Sequence, residues 1–380
     1  MDFTLNDEQT AIRDTALDFA RARIAPHALE WDEAKHFPID VLREAAALGM
    51  AGIYTREAFG GSGLTRLDAA LIFEALATGC PCVSAYLSIH NMCAWMIDTY
   101  GSEEQRRKWL PGLMRMDWLA SYCLTEPGAG SDAAALSTRA RRDGDHYILN
   151  GQKQFISGAG NARDFYVVMA RTGDAGPRGI SCLVIEGGAP GVSFGKNERK
   201  MGWNAQPTRA VIFEDARVPV ANRLGAEGEG FRFAMAGLDG GRLNIGACSI
   251  GGAQAALDRA LGHMRERRAF GKRLDEFQAL QFRLADMATE LEVARTFLWR
   301  AATALDARAP DATRLCAMAK RVATDAGFKV ANDALQMLGG YGYLSEYGIE
   351  KIVRDLRVHQ ILEGTNEIMR LIIARGMTAA

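Results

Sequence analysis

The stretch YCLTEPGAGSD, residues 122–132, marks the point where the sequence changes from a helical to a β-rich pattern. Before it, as far as about Arg115, apolar residues recur at helical spacing in segments rich in alanine and leucine. A first helix is predicted from Asn6 to about Ile24, where Pro26 stops it. Further helices are predicted over residues 39–48, 67–77 and 103–113. The first third of the chain is therefore expected to be helical.

Short β-rich runs follow this stretch. They are HYILN (146–150), QFIS (154–157), DFYVVMA (164–170), ISCLVIE (180–186) and AVIFE (210–214). Their β-branched and aromatic residues are typical of strands. Asn150-Gly151, between two of the runs, is a strong signal for a hairpin turn. Because no segment of helical length separates the runs, we expect an antiparallel sheet that ends near residues 225–230.

Helical patterns return at Phe231 and become longer. Apolar residues at alternating steps of four and three form one sustained stripe, which consists of Leu280, Leu284, Met287, Leu291, Ala294 and Leu298. A stripe of this kind is typical of helices that pack in a bundle. The predicted fold class is mainly α with a central β domain: an N-terminal helical domain (1–119), a middle antiparallel β-sheet domain (120–228) and a C-terminal four-helix bundle (229–380).

The overall composition is that of an ordinary globular protein. The 380 residues are too many for one compact core, and 45 Lys and Arg nearly cancel 46 Asp and Glu, for a formal charge of −1. This balance argues against electrostatic binding to nucleic acid. Neither a secretory signal nor a run of about 18 apolar residues is apparent, so we expect a cytoplasmic protein without a membrane span.

The cysteines and histidines do not form a metal-binding pattern. Seven cysteines are scattered along the chain, which suits reduced thiols better than disulfides. The pair Cys80 and Cys82 lacks a second pair, and the six histidines show no ligand spacing, so no metal is expected. His359 precedes Glu363 by four residues, but we expect its role to be structural. The sequence shows no Walker A loop, no HExxH, no GxSxG nucleophile elbow and no GxGxxG that opens a helix after a strand.

Several glycine- or arginine-rich segments have both a functional and a structural interpretation. The 122–132 loop could offer amides and hydroxyls to a phosphate or a flavin edge, or be a plain turn. LDGGRLNIG, residues 238–246 at a predicted helix start, could place Asp239 and Arg242 in a pocket or in an ion pair on one helix face. RERRAFGKRL, residues 265–274, could hold a pyrophosphate or be a solvated basic face. QMLGGYGYL, residues 336–344, could approach a ligand or simply end a helix.

One carboxylate near the C-terminus is placed to act as a base. In VHQILEGTNEIMRLIIARG, residues 358–376, Thr365 can cap a helix that Gly376 ends. Glu363 then lies on a Gly364 turn behind apolar residues, where poor solvation would raise its pKa towards that of a general base. The alternative is an ordinary solvated glutamate.

Taken together, these strings resemble the acyl-CoA dehydrogenase family over essentially the whole chain. The resemblance rests on YCLTEPGAGSD, NGQKQFISGA, FEDARVP, RRAFGK, QMLGGYGY and RDLRVHQILEGTNEIMR. Within the family, residues 202–223 and 358–370 look most like the branch that acts on isobutyryl-CoA in valine degradation. The resemblance implies FAD as cofactor, an acyl-CoA substrate, electron-transferring flavoprotein as electron acceptor and a homotetramer.

The resemblance also implies roles for individual residues. Glu363 would be the catalytic base, which removes the α-proton of the acyl-CoA while flavin N5 accepts a hydride from the β-carbon. Residues implied to contact FAD are Tyr122, Leu124, Thr125, Gly130, Ser131, Phe155, Ile156, Ser157, Thr365, Asn366 and Glu367. Residues implied to contact FAD across a subunit boundary are Arg267, Phe270, Phe277, Gln278, Gln336, Met337, Gly339 and Gly340. Residues implied to line the acyl-CoA path are Ser131, Asp239, Arg242, Gly364 and Arg375.

Two departures from the family pattern are informative. Phe155 stands where most members have tryptophan. Members of the isobutyryl-type branch resemble this chain in having phenylalanine there. Gly241 stands where some members carry the base, so here Glu363 alone can serve. 2-Methylbutyryl-CoA and butyryl-CoA remain alternative substrates. A flavin oxidase of the same fold and a non-catalytic acyl-CoA-binding protein are alternatives of other classes.

Overall fold

The computed structural model describes residues 4–161 and 163–378. Helices form the first part of the chain: α1 Asp7–Phe19, α2 Ala28–Ala34, α3 Ile39–Ala47, α4 Arg66–Gly79, α5 Pro81–Tyr100 and α6 Glu103–Met114. Polar N-caps explain several starts, because Asn6, Thr65 and Ser102 each accept a bond from the amide three residues on. The helical N-terminal third is confirmed.

The middle of the chain is a sheet of eight strands within the described residues. They are β1 Leu119–Cys123, β2 Arg139–Asp143, β3 His146–Ser157, β4 Asp164–Arg171, β5 Ile180–Glu186, β6 Val192–Phe194, β7 Thr208–Pro219 and β8 Arg223–Leu224. The order is β6-β7-β3-β2-β4-β5-β8, and β1 pairs with β4. Most pairs are antiparallel, but β1 runs parallel to β4, and β2 also touches β4 in parallel. The expectation of a purely antiparallel sheet is corrected to that extent.

The hairpin predicted at Asn150-Gly151 is wrong. β3 continues through both residues, and a register shift in its pairing with β7 falls between Leu149 and Gly151. Gly151, at φ 143°, supplies the unusual conformation of an irregular strand position rather than of a turn. The actual turn follows β2, where Gly144 at φ 62° lets Asp143 pair with His146.

β4 is buried on both faces, which joins the sheet to the helices. Its side chains alternate, so Phe165, Val167 and Met169 pack in a cluster with Trp109 and Leu110 of α6. Tyr166, Val168 and Ala170 face a second cluster inside the β region. The sheet is thereby held against α6 of the N-terminal helices.

The C-terminal part is again helical. After β8 come α7 Gly230–Glu266, the short strands β9 Arg268–Ala269 and β10 Lys272–Arg273, then α8 Gln278–Asp306, α9 Ala312–Leu338, α10 Gly340–Tyr343, α11 Ile349–Arg357 and α12 Asn366–Thr378. The stripe on α8 packs inward as predicted, with Met287, Leu291, Ala294 and Leu298 buried. The fold class is confirmed: N-terminal helices, a middle sheet and C-terminal helices. The domain limits at 119 and 228 stay a prediction.

Two details of the C-terminal helices differ from expectation. Residues 238–246 are not a helix start, because α7 begins earlier, at Gly230, and they lie inside it. Gly376 does not end α12, which continues to Thr378. Gly376 lies against Arg314 there, since a β-carbon on it would be 3.3 Å from Arg314 Cδ, so tertiary packing outweighs its weak helix propensity.

All seven cysteines are buried and unpaired, in agreement with the prediction of reduced thiols. Among the helices in the described ranges, none combines the length and the apolar character needed to cross a bilayer.

Candidate active site

A cavity of about 370 Å³ opens where α5, α7 and α12 meet the sheet, and this size is in the range of small-molecule sites. The cavity is lined by the predicted base and by residues predicted to contact FAD within the chain or to line the acyl-CoA path: Tyr122, Leu124, Thr125, Gly130, Ser131, Phe155, Ile156, Ser157, Arg242, Glu363, Gly364 and Arg375. The fold therefore brings together residues that lie up to 253 positions apart in the chain (375 − 122).

Other predicted residues lie elsewhere. Arg267, Gln336, Met337, Gly339 and Gly340 line a second cavity of about 630 Å³ between α7, α8 and α9. Neither cavity is lined by the remaining predicted residues, which are Asp239, Phe270, Phe277, Gln278, Thr365, Asn366 and Glu367. Within one chain, those expected cofactor contacts that line a cavity thus fall into two separate cavities, one for each side of the expected subunit boundary.

The turn that carries Glu363 has an unusual backbone. Glu363 has φ 54° and Gly364 has φ 90°, so both lie in the left-handed region, which costs a non-glycine residue about 1 kcal/mol or more. Thr365 then caps α12 by accepting a bond from the Ile368 amide at 3.3 Å, as predicted. The turn directs the Glu363 side chain into the cavity, where its Oε2 is buried and receives no hydrogen bond from any described residue.

The electrostatic environment of Glu363 suits a base. Burial raises its pKa to about 7 from the usual 4.5, while the charges of Arg242 and Lys320 partly oppose the shift. A carboxylate with a pKa near neutrality can be ionised at physiological pH and still be basic enough to take a proton. The pKa shift predicted from the apolar residues before Glu363 thus has the expected direction.

Gly241 on α7 provides the space for this side chain. A β-carbon on Gly241 would lie 2.3 Å from Glu363 Oε2 and 2.9 Å from its Cδ. The carboxylate of Glu363 therefore lies directly beside Gly241, the helix position at which some family members carry the base.

Asp239 and Arg242 form a buried ion pair on α7. Arg242 Nη1 donates to Asp239 Oδ1 at 2.7 Å, and Thr313 donates to the other carboxylate oxygen at 2.6 Å. Arg242 Nε reaches the Glu363 carbonyl oxygen at 3.3 Å. The sequence left open whether these residues line a pocket or form an ion pair on one helix face. Arg242 does both, whereas Asp239 takes part only in the ion pair and does not line the cavity.

The 122–132 loop is anchored by a buried ion pair below it. Lys153 Nζ of β3 donates to Glu126 Oε1 at 2.8 Å and to the Leu124 carbonyl at 3.0 Å. Although burial would raise it, the Lys153 ammonium and hydrogen bonds from Ser137 and Thr138 lower the pKa of Glu126 to about 2. β-Carbons added to Gly128 or Gly130 would meet nothing within 4 Å, so the outer side of the loop is open.

Phe155 is an exposed aromatic residue in a strained conformation. Its φ is 59°, and 64% of its surface is accessible although it belongs to β3. The strand pairing with β7 is irregular between Lys153 and Ile156, and such a bulge re-aims the side chain, here into the cavity. Strain of this kind persists where a ligand-binding geometry requires it.

Sequence reasoning missed part of the cavity wall. The apolar lining also comes from Ile89, Met92, Trp203, Phe231, Met235, Leu238 and Leu362. The α7 members recur at helical spacing, which was a usable signal. Trp203 had no local signal, because distant residues hold it: its backbone N–H donates to Asp355 at 2.6 Å and its indole N–H to His359 Nε2 at 3.2 Å.

His359 itself lies outside the cavity lining and is fully buried. Its Nδ1 lies 2.6 Å from Ser249 Oγ, and its Nε2 accepts the bond from Trp203. Burial, reinforced by the charge of Lys320, lowers the pKa of His359 to about 3, so the imidazole is neutral. These contacts agree with the structural role predicted for it.

Sequence comparison finds matches to the models of three domains of one family along the chain. The N-terminal domain of acyl-CoA dehydrogenase matches residues 6–117, the middle domain 121–216 and the C-terminal domain 228–378. A bovine (Bos taurus) protein named isobutyryl-CoA dehydrogenase, mitochondrial, is 57% identical over 373 residues, which cover 98% of this chain and 89% of the bovine protein.

Two solved structures are similar over essentially their full lengths. Butyryl-CoA dehydrogenase from Megasphaera elsdenii is 39% identical with a TM-score of 0.96, and the match covers 99% of this chain and 100% of that one. A chain from a structure described as the electron transferring flavoprotein of Acidaminococcus fermentans is 41% identical with a TM-score of 0.97, and the match covers both chains completely.

Proposed function

Because the chain belongs to the acyl-CoA dehydrogenase family and is an oxidoreductase of that type, we propose that its substrate is isobutyryl-CoA, which it converts to methacrylyl-CoA in valine degradation. The 57% identity to the bovine isobutyryl-CoA dehydrogenase supports this substrate. Phe155 at the family's usual tryptophan position and the string of residues 202–223 point in the same direction.

The observation that carries the proposal is the state of Glu363. Its Oε2 is buried at the cavity wall without a hydrogen-bond partner in the described chain, and its pKa is about 7. A carboxylate that served only the fold would be paired, because an unpartnered buried polar atom is costly. Glu363 is thus the group that removes the α-proton of the bound thioester.

Proton removal from a thioester needs more than a basic carboxylate. The apolar side chains of the cavity wall exclude water, which keeps the base poorly solvated and strengthens hydrogen bonds to the substrate. A well-placed donor on the developing enolate oxygen contributes about 3 kcal/mol. The Glu363 backbone N–H, next to the base itself, is our candidate donor. Arg242, which holds the Glu363 carbonyl on the opposite side of that residue, would orient the donor.

The residues present fit FAD. The cavity combines the hydroxyls of Thr125, Ser131 and Ser157 with the exposed ring of Phe155, a mixture that suits a flat heterocycle with one polar edge. The second cavity offers the guanidinium groups of Arg267 and Arg283, which suit a pyrophosphate. When bound, FAD supplies the acceptor for the hydride from the substrate's β-carbon. Ser131, Arg242, Gly364 and Arg375 would guide the acyl-CoA beside it.

We also propose the partners that the family resemblance implied. A homotetramer would cover aromatic residues that one chain leaves in water, among them Phe270 at 96% and Tyr343 at 81% exposure. Electron-transferring flavoprotein is the proposed electron acceptor. The cytoplasmic location stays a prediction, since the bovine relative is named as mitochondrial.

The test is an anaerobic titration of the purified flavoprotein with isobutyryl-, 2-methylbutyryl-, butyryl- and isovaleryl-CoA, followed by flavin absorbance. We expect isobutyryl-CoA to bleach the flavin at the highest rate. Glu363→Gln, which keeps the shape of the side chain, should retain the flavin but lower the rate by roughly 10⁴-fold or more, and Glu104→Gln, an exposed change on α6, should not. Near-normal bleaching by Glu363→Gln would refute the assignment.

A second candidate substrate is butyryl-CoA, because the chain is also similar to the Megasphaera elsdenii butyryl-CoA dehydrogenase. The two acyl groups have the same number of carbons and differ only in branching at the α-carbon, so the shape of the cavity decides between them, and their rates should differ measurably. 2-Methylbutyryl-CoA has one more methylene than either, a difference worth about 1–3 kcal/mol of discrimination. A preference for butyryl-CoA would move the proposal to that substrate. Rapid peroxide formation in air would indicate the oxidase, and no bleaching with any acyl-CoA would indicate a binding protein.

A further inference from the structure

Lys320 is a buried cation without a carboxylate partner. It lies on α9 with no accessible surface, and no carboxylate of the described residues is within ion-pair distance of its Nζ. Instead, Nζ donates to the Gly364 carbonyl oxygen and to Asn366 Oδ1, both at 2.9 Å. Burying an ammonium group against neutral acceptors is unfavourable for stability, so its retention here calls for a role at the turn it contacts.

Two cations hold the two carbonyls of that turn. Arg242 of α7 binds the Glu363 carbonyl at 3.3 Å, and Lys320 of α9 binds the Gly364 carbonyl at 2.9 Å. Glu363 is in the left-handed region at φ 54°, a conformation that persists only where the surroundings impose it. Donors from two different helices impose it by fixing the direction of consecutive peptide groups.

A network of side chains holds Lys320 and Asn366 in turn. Asn366 donates to Thr324 Oγ1 at 3.0 Å and to Asp325 Oδ1 at 2.7 Å, and Gln360 donates to the same Asp325 oxygen at 2.8 Å. The segments before and after Glu363 are therefore tied to one stretch of α9. Glu363 Oε2, in contrast, has no hydrogen-bond partner among the described residues.

We propose that Lys320 is a positioning residue for the reaction: it clamps the Glu363–Gly364 turn so that the carboxylate points unpartnered into the cavity, and its charge favours the ionised carboxylate. This inference rests on the proposed role of Glu363 as base. It adds a residue that touches neither substrate nor cofactor but acts through the base.

The groups around Glu363 set the sign of the charge effect. The cations are Arg242 from α7 and Lys320 from α9, and both lower the pKa of Glu363. The neutral groups are Tyr54, Tyr122 and Cys248, whose pKa values burial raises. Lys320 in turn is near Arg242, Asp325, Glu363 and Glu367, and burial lowers its pKa to about 8. Removal of its charge must therefore raise the pKa of Glu363.

The experiment separates hydrogen bonding from charge with two variants of Lys320. Lys320→Gln keeps a donor for the Gly364 carbonyl but no charge, whereas Lys320→Met has neither. Lys329→Met is the matched control, because Lys329 lies on the same helix and forms a partly exposed ion pair with Glu290. For each holoenzyme, the rate of flavin reduction by isobutyryl-CoA is measured against pH. The protonated-carboxyl infrared band of Glu363, identified by its loss in Glu363→Gln, is titrated without substrate.

We expect both Lys320 variants to move the pH midpoint of the rate and of the infrared band upwards by about 1 unit. Lys320→Met should also lower the rate at high pH by about 100-fold, because a misplaced base loses alignment with the substrate. Lys320→Gln should keep most of that rate, and Lys329→Met should match the wild type.

The outcomes distinguish this inference from the proposed function. If the wild type is not bleached by any acyl-CoA, the proposed function is wrong and Lys320 has no base to position. If the wild type reacts but both Lys320 variants keep its midpoint and rate, the positioning role is wrong. Loss of folding in both variants would equally refute it, since Lys320 would then act on the whole fold rather than on the turn.

Discussion

Gly241 and Glu363 compete for one volume: a β-carbon on Gly241 would lie 2.3 Å from Glu363 Oε2. The absence of a side chain on α7 is thus a requirement for the carboxylate to reach the cavity. A larger residue at position 241 and the carboxylate of Glu363 in its present place cannot be accommodated together.

Gly241→Ala should displace the Glu363 carboxylate. We expect the rate of flavin reduction to fall by about 100-fold, the usual result of moving a reacting group by about 1 Å, while the protein stays folded. The control is Gly262→Ala on the same helix, where an added β-carbon meets nothing within 4 Å. That change should leave the rate unaltered and stabilise the helix by up to about 1 kcal/mol. Equal rates for both variants would contradict the steric account.

The stability of the protein should reflect the raised pKa of Glu363. The folded state holds its proton up to a pKa of about 7, whereas the unfolded chain releases it near 4.5. The contribution of protonated Glu363 to the free energy of unfolding is therefore complete below pH 4.5 and is lost as the pH rises through 7. Glu363→Gln, which is always neutral, should gain stability relative to the wild type over that window. Thermal unfolding of both proteins at a series of pH values measures it; a constant difference would be evidence against the buried charge.

Breaking the ion pair under the 122–132 loop should weaken both the fold and cofactor binding. Lys153→Met leaves Glu126 buried without its cation, which typically costs about 3–5 kcal/mol. The double variant Glu126→Gln/Lys153→Met removes the uncompensated charge and should recover a large part of the loss. Denaturant unfolding and the FAD dissociation constant are the measurements. A double variant no better than Lys153→Met would mean that the charge is not the cause.

Trp203 should contribute to stability through its indole N–H. Trp203→Phe keeps an aromatic ring in the cavity wall but leaves His359 Nε2 buried without a donor, at a cost of about 1–3 kcal/mol. Trp299→Phe serves as control, because its indole N–H has no partner among the described residues. We expect a clear loss of stability for the first variant and a smaller one for the second in denaturant unfolding. The reverse order would contradict the assigned hydrogen bond.

The features that could be predicted from the sequence either depend on neighbouring residues alone or belong to long motif strings. The Thr365 cap and the stripe on α8 follow from spacing alone, and the motif strings brought most of the cavity lining together. The errors arose where distant residues decide the local conformation. Asn150-Gly151 is a turn signal that β7 overrides by pairing along the whole of β3. Gly376 remains helical because α12 packs against Arg314 of α9.

The same reason explains the residues that were missed. Lys320 is an unremarkable lysine in a helical pattern, and only the folded chain places its Nζ beside Gly364, 44 positions away. Trp203 lies in an irregular segment that Asp355 and His359 fix from another helix. Contacts of this kind leave no periodic trace in the sequence.

The seven native thiols have a practical consequence for following the reaction. Since none of them reaches the protein surface, maleimide dyes should not react with the native enzyme. A single cysteine introduced at an exposed position would then be the one site of dye attachment, so motions of any chosen helix could be followed without first replacing the native cysteines.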